Sequence, residues 1–257
     1  MRCITLRILA ENSSVRIKSQ KKLNFRLIKE WLEGITSRKT VVHFLHIGKT
    51  GGTAIKNTLR DHTHNGPFRI LLHDHKTTLP DIPQKEKVFF CVRDPIDRFV
   101  SGFYSRQRQG RPTYYAKWRK EERIAFGQFS TPNELGLALS SQNKDIASMA
   151  KFAMRSISHV NTSYWDWFKD EQYLLERAGD ILYICRQERL AEDFDELVRR
   201  LELSSSLSLP VVNSAGAHSN PETLDKRLDD AAAQNLRDWY AKDYDFMDFI
   251  HKTFNRK

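Results

Sequence analysis

Apolar residues in this chain fall into short unbroken runs that stop abruptly at glycine or at charge. Val41 to Ile47 (VVHFLHI) runs directly into Gly48-Lys49-Thr50-Gly51-Gly52-Thr53. A β-branched and aromatic run of this length predicts a buried strand meeting a tight turn. Thr53 to Arg60 (TAIKNTLR) then follows helical spacing, and strand, glycine turn and helix make half of a βαβ unit. Lys87 to Val92 (KVFFCV) predicts a second buried strand, which meets Arg93-Asp94-Pro95. Asp94 suits an N-cap, Pro95 the first helical position and Asp97 the first turn, so a helix is predicted from 95 to about 107.

Further along, Thr131-Pro132-Asn133-Glu134 reads as a cap before a helix to about 140. The pattern then predicts a helix over 144–157, a third buried strand at Ile181 to Cys185, and a helix from Leu190 to Leu201. Residues 203–221 form a Ser/Pro/Asn-rich loop, and 222–256 carry a long amphipathic helix. Leu27, Ile28, Trp31 and Leu32 recur at helical spacing, so a short helix is expected near 24–34. It lies within a basic extension, 1–39, that precedes the main domain, 40–257. Alternating strands and helices predict an α/β fold: a central parallel sheet with helices on both faces, and ligands beyond the carboxyl ends of the strands.

Composition narrows the class. A chain of 257 residues has room for one large α/β domain or two small ones. With 40% hydrophobic and 29% charged residues, disordered and fibrous classes are excluded. No apolar stretch approaches the length of a membrane span, and the apolar core near the start is too short for a signal peptide. The expected location is therefore cytoplasmic. Cys91 and Cys185 sit in apolar runs and are expected as buried reduced thiols. With Cys3 they form no disulfide framework or zinc pattern. The net charge of +10 favours an anionic partner, be it nucleotide, polyanionic sugar, nucleic acid or acidic membrane.

Two constellations give that charge a chemistry. Around Gly48, Lys49, Thr50, Gly51, Gly52 and Thr53, glycines let backbone N–H groups converge on an anion, and a helix N-terminus adds its positive end. Lys49 supplies a mobile charge, and Thr50 and Thr53 supply hydroxyls. The Walker pattern fails here, because His43 stands where its first glycine belongs. In the second constellation, Arg93-Asp94-Pro95-Ile96-Asp97-Arg98-Phe99-Val100-Ser101, Arg93 leaves a strand end and Ser101 lies two turns into the helix. Both can address one anion.

The order of these motifs, about forty residues apart, resembles the sulfotransferases that use 3'-phosphoadenosine 5'-phosphosulfate (PAPS), in particular the carbohydrate sulfotransferase group and its bacterial relatives. ILYICRQERLAEDFDEL, VNSAGAHSN and LRDWYAKDYDFMDF continue the likeness more faintly. The resemblance implies a P-loop-like three-layer fold. It implies a first loop that holds the 5'-phosphosulfate with Lys49, and Arg93 and Ser101 on the 3'-phosphate. Gly48 departs from it, since many relatives carry proline there. The implied partners are PAPS, with adenosine 3',5'-bisphosphate as product, and a hydroxyl-bearing, carbohydrate acceptor. No metal and no nucleic acid are called for.

Transfer to a hydroxyl needs a base. His73-Asp74-His75 lies just before the second strand, and relatives place a histidine in this interval, matched here to His75 with His73 as the fallback. His159 reads as structural, with a place in the acceptor cleft as the alternative. Arg186 and Glu188 border the nucleotide or, for Glu188, organise a turn. The aromatic and basic stretch 104–120 suits an anionic or sugar acceptor, or a solvated face. Two other readings stay open at this point: a P-loop kinase or nucleoside triphosphatase, and a non-catalytic binder of anionic glycan or nucleic acid.

Overall fold

The computed structural model describes residues 39–112, 114–210 and 224–254. The expected helix near 24–34, Cys3 and the VNSAGAHSN segment lie outside the described residues. The chain forms four strands, β1 (Thr40–Leu45), β2 (Phe68–Leu72), β3 (Lys87–Val92) and β4 (Ile181–Arg186). All neighbouring pairs are parallel and the order is β2-β1-β3-β4. This is the expected α/β architecture, a parallel sheet covered by helices on both faces in a P-loop-like arrangement.

The unbroken apolar runs follow from that double covering. Along β3, Val88, Phe90 and Val92 face one side and pack with Tyr164, Trp167, Phe168, Phe246 and Ile250. Phe89 and Cys91 face the other, against Ile55, Leu59, Phe194 and Leu197. Each large side chain so buried contributes about 1.5–3 kcal/mol, enough to fix the register. Cys91 and Cys185 are register partners across β3 and β4, both free and fully buried.

Helix α1 (Gly52–Leu59) follows β1, and α2 (Pro95–Gln107) follows β3. Asp94 caps α2 by accepting from the N–H groups of Ile96 and Asp97, with Pro95 in the first turn. A helical layer of α3 (Lys120–Gln128), α4 (Pro132–Ala138), α5 (Lys144–Ser156) and the later helix α9 (Asp230–Trp239) packs on the apolar face of α2. Short helices α6 (Trp165–Phe168) and α7 (Glu171–Glu176) lead into β4, and α8 (Leu190–Arg200) returns along the sheet.

Several elements differ from expectation. Strand β2, helix α3 and the short pair α6 and α7 were not anticipated. The long helix over 222–256 is two helices, α9 (Asp230–Trp239) and α10 (Ala241–Phe254), hinged at Tyr240. Tyr240 donates its hydroxyl to the Val160 carbonyl. Buried Asp243, one turn on, accepts from Ser163 Oγ at 2.7 Å and the Tyr164 N–H at 2.6 Å. The break thus anchors the segment that backs the site.

Strand order reverses between β1 and β3: the chain leaves β1 toward β2 on one side, then adds β3 and β4 on the other. A crevice opens at such a switch point, beyond the carboxyl ends. Both motif turns, 46–53 and 93–101, lie there.

Candidate active site

The first turn is built around two left-handed residues. Lys49 has φ 70 and Gly51 φ 85, with Thr50 between them at negative φ. This alternation turns successive N–H groups toward one point, the geometry of an anion nest. Gly52 begins α1 under a close neighbour: a Cβ there would fall 2.4 Å from His46 Cδ2. Thr50 is fully buried and donates its hydroxyl to the Ile47 carbonyl at 3.0 Å, which braces the turn and leaves its amide for binding. Thr53 reaches the pocket from the first turn of α1.

That pocket, about 190 Å³, is lined by His46, Lys49, Gly52, Thr53, His75, Tyr114 and His159. Lys49 makes no hydrogen bond or ion pair among the described residues. Burial, then the Arg108 and Arg93 charges, push its pKa down to about 8. Burial also lowers the pKa of Arg93, against the opposing charges of Asp97, Glu188 and Asp94. Its guanidinium has no partner among the described residues and its Nε is buried and unsatisfied. Its backbone is gripped on both sides by Tyr164, whose hydroxyl accepts from the Arg93 N–H at 2.9 Å and donates to its carbonyl at 2.6 Å. Asp97 and Ser101, four residues apart, share a face of α2, and the Asp97 carboxylate feels the Arg93 charge. Glu188 accepts from the Asp94 N–H at 2.7 Å and so organises this turn.

The two turns are tied together by Arg98, which the sequence reading passed over. It is 2% exposed. Its Nε donates to the Gly48 carbonyl at 3.1 Å, and its other nitrogens donate to the Thr162 carbonyl at 2.9 Å and Oγ1 at 2.7 Å. Tyr164 and Trp167 stack on the guanidinium at 4.8 and 5.3 Å. The signal was present in the sequence: a charge set among the apolar positions of α2.

The two candidate bases separate in space. His73 is 1% exposed and turned into the protein, where its Nε2 lies 2.8 Å from Nδ1 of His43. His43 in turn bonds Glu86. His75 lines the pocket. Its Nδ1 lies 3.0 Å from the His46 carbonyl, which can only accept, so Nδ1 carries the proton and Nε2 the lone pair. The ring keeps a solvent-open edge while its inner side is crowded by protein. That desolvation lowers its pKa, helped by Lys56 and Lys49 and opposed by the His46 carbonyl and Asp74. His46 packs against it at 4.0 Å between centroids. Burial, then His75 and Lys56, push the His46 pKa down to about 2. His159 joins them across 110 residues from Lys49, its ring 5.9 Å from His75 and nearly perpendicular. Its pKa is driven to about 3 by burial and then Lys49.

Elsewhere the predictions divide. Tyr114 of the aromatic and basic stretch roofs the pocket. Arg186 points to another groove, where its Nε lies 3.4 Å from buried Asp193. Among the described residues no group of three or more His, Cys, Asp or Glu side chains is arranged to hold a metal ion, and no helix is long and apolar enough to cross a membrane.

A parallel sheet, a glycine turn at its switch point and partly buried cations beside a histidine-lined pocket make a class of α/β fold suited to an anionic ligand. Within that class, residues 33–249 match the family model described as "Sulfotransferase family", and the chain belongs to the sulfotransferase family. It is accordingly a transferase of the sulfonyl-transferring kind. No curated protein matches the chain.

Proposed function

We propose that this protein takes a sulfonyl group from PAPS and places it on a hydroxyl of a carbohydrate acceptor. The observation that carries the reading is the pairing of two partly buried cations that make no side-chain hydrogen bond or ion pair among the described residues, Lys49 and Arg93, with a histidine whose basic nitrogen is fixed. The unsatisfied Arg93 Nε and the open nest both fit a donor with two separated phosphate-type ends.

In this reading Arg93 and Ser101 hold the 3'-phosphate, and Gly48, Lys49, Thr50, Gly51, Gly52 and Thr53 hold the 5' end. The donor supplies an activated sulfonyl group. His75 Nε2 takes the acceptor hydroxyl proton while the acceptor oxygen bonds sulfur. The bond from sulfur to the 5'-phosphate oxygen breaks, and its electron pair leaves with that oxygen. Lys49 and the nest amides neutralise the charge that develops there, so the work is positioning and electrostatics. The products are adenosine 3',5'-bisphosphate and a sulfate ester. Tyr114, with the Arg111–Tyr115 stack behind it at 4.9 Å, gives the entrance an aromatic and cationic character that suits a sugar.

Incubation of the purified protein with PAPS and a glycan panel tests this. The expected result is bisphosphate release coupled to a mass gain of one sulfonate on a glycan. Turnover of Mg-ATP in place of PAPS would move the reading to a phosphotransferase.

A further inference from the structure

Residues 157–164 bring to the pocket a group that neither motif turn contains. His159 is held at φ 68, a left-handed conformation that non-glycine residues avoid and that concentrates at functional positions. Two glycines make room for it. A Cβ on Gly102 would lie 3.2 Å from His159 Cβ, and one on Gly48 would lie 3.2 Å from its Nδ1. Gly48 itself does not take positive φ, so its missing side chain serves as space for the ring. The ring makes no hydrogen bond among the described residues, yet it borders the same pocket as Lys49 and His75. Its nitrogens are not among the buried unsatisfied atoms, so they keep access to what enters the pocket.

We propose that His159 contacts the substrate: its ring N–H donates to the attacking acceptor oxygen, which His75 approaches from the other side. This rests on the sulfotransferase reading. The rings stand 5.9 Å apart and nearly perpendicular, a spacing that allows one oxygen to bridge a nitrogen of each. The roles are complementary. His75 offers a lone pair at Nε2, because its Nδ1–H is committed to the His46 carbonyl. His159 stays uncharged, so it supplies one donor without competing with Lys49 for the anion. Because the contact is to the attacking oxygen, it serves water as well as a sugar hydroxyl.

The test is bisphosphate release from PAPS, with water and with methyl glycosides as acceptors, in His159→Phe, His159→Gln and His159→Asn proteins. Bisphosphate affinity is measured alongside by calorimetry. His159→Phe is expected to lose about tenfold or more in turnover at saturating PAPS while binding bisphosphate within about twofold of wild type. His159→Gln, which keeps a donor at similar reach, is expected to recover part of the loss. Should the Phe protein not fold, His159→Asn decides, since asparagine tolerates the left-handed backbone but is too short to reach the oxygen. Turnover retained in the Phe or Asn protein, or lost only in proportion to bisphosphate affinity, would overturn the inference alone. A wild-type protein that binds no bisphosphate would overturn the PAPS-dependent reading and this inference with it.

Discussion

Two of the concavities formed by the described residues carry cations, and they differ in size and in how those cations are paired. The larger, about 640 Å³, runs along the edge strand β4 and holds Arg186, Arg189 and Arg200. Each is answered within the fold. Arg189 Nε lies 2.9 Å from Asp193, and Arg200 Nε lies 2.6 Å from Glu196 while its NH1 caps the Leu182 carbonyl at 3.1 Å. These contacts shield an exposed strand edge. The smaller pocket, about 190 Å³, holds Lys49, and Arg93 stands close enough to depress its pKa. Neither side chain makes a hydrogen bond or ion pair among the described residues, though Asp97 and Glu188 stand near enough to Arg93 to oppose the lowering of its pKa by burial. Size would choose the groove; we take the pocket, because there the protein partly buries cations without giving them a hydrogen-bonding partner among the described residues.

The comparison breaks most readily at Lys49 and His75. Lys49→Met is expected to lower turnover by about a hundredfold or more while weakening bisphosphate binding less, since its charge serves the leaving oxygen. His75→Ala is expected to cost a similar factor, about a hundredfold or more, and to abolish the acid limb of the pH profile. In wild type, kcat/KM is expected to rise as His75 deprotonates below its ordinary range, and to fall as Lys49 loses its proton near pH 8. The signs follow from which form works: neutral imidazole and charged ammonium. A profile with no fall around pH 8 would remove the Lys49 assignment, and an acid limb unchanged in His75→Ala would remove that of His75.

Next in size is Arg93→Ala, expected to weaken bisphosphate binding about ten- to a hundredfold while leaving AMP binding nearly unchanged. Arg98→Met follows. It strands the Gly48 and Thr162 carbonyls, so denaturant titration should show a loss of about 2–4 kcal/mol together with weaker nucleotide binding. The smallest effect is expected in the groove. Arg200→Gln should leave bisphosphate affinity within about twofold of wild type by calorimetry, because an exposed, internally paired arginine has little to offer a ligand. A large loss there would reverse the choice of pocket.

What the sequence made legible was local. The Gly48–Thr53 turn, the Asp94 cap, and strands β1 and β3 with their following helices each occupy a contiguous segment whose pattern names its structure. Strand β2 was hidden because FRILL is short, follows Gly66-Pro67, and is interrupted by Arg69, a charge that is buried in the fold. Helix α3 was masked by its charged KEER start. The break at Tyr240 carries neither proline nor glycine. It exists because Tyr240 and Asp243 reach Val160, Ser163 and Tyr164, contacts about eighty residues away that periodicity does not record. The site divides the same way. Lys49 and Arg93 stand out from their motifs, whereas the choice of His75 over His73, the Arg98 clasp and the arrival of His159 depend on which strands are neighbours.

The most direct test is calorimetric titration of wild-type and Arg93→Ala proteins with adenosine 3',5'-bisphosphate, with AMP and Mg-ATP as comparisons. The account predicts that wild type binds the bisphosphate far more tightly than AMP and that Arg93→Ala erases the difference. Equal affinity of the two proteins for the bisphosphate, or binding by wild type of Mg-ATP alone, would contradict it.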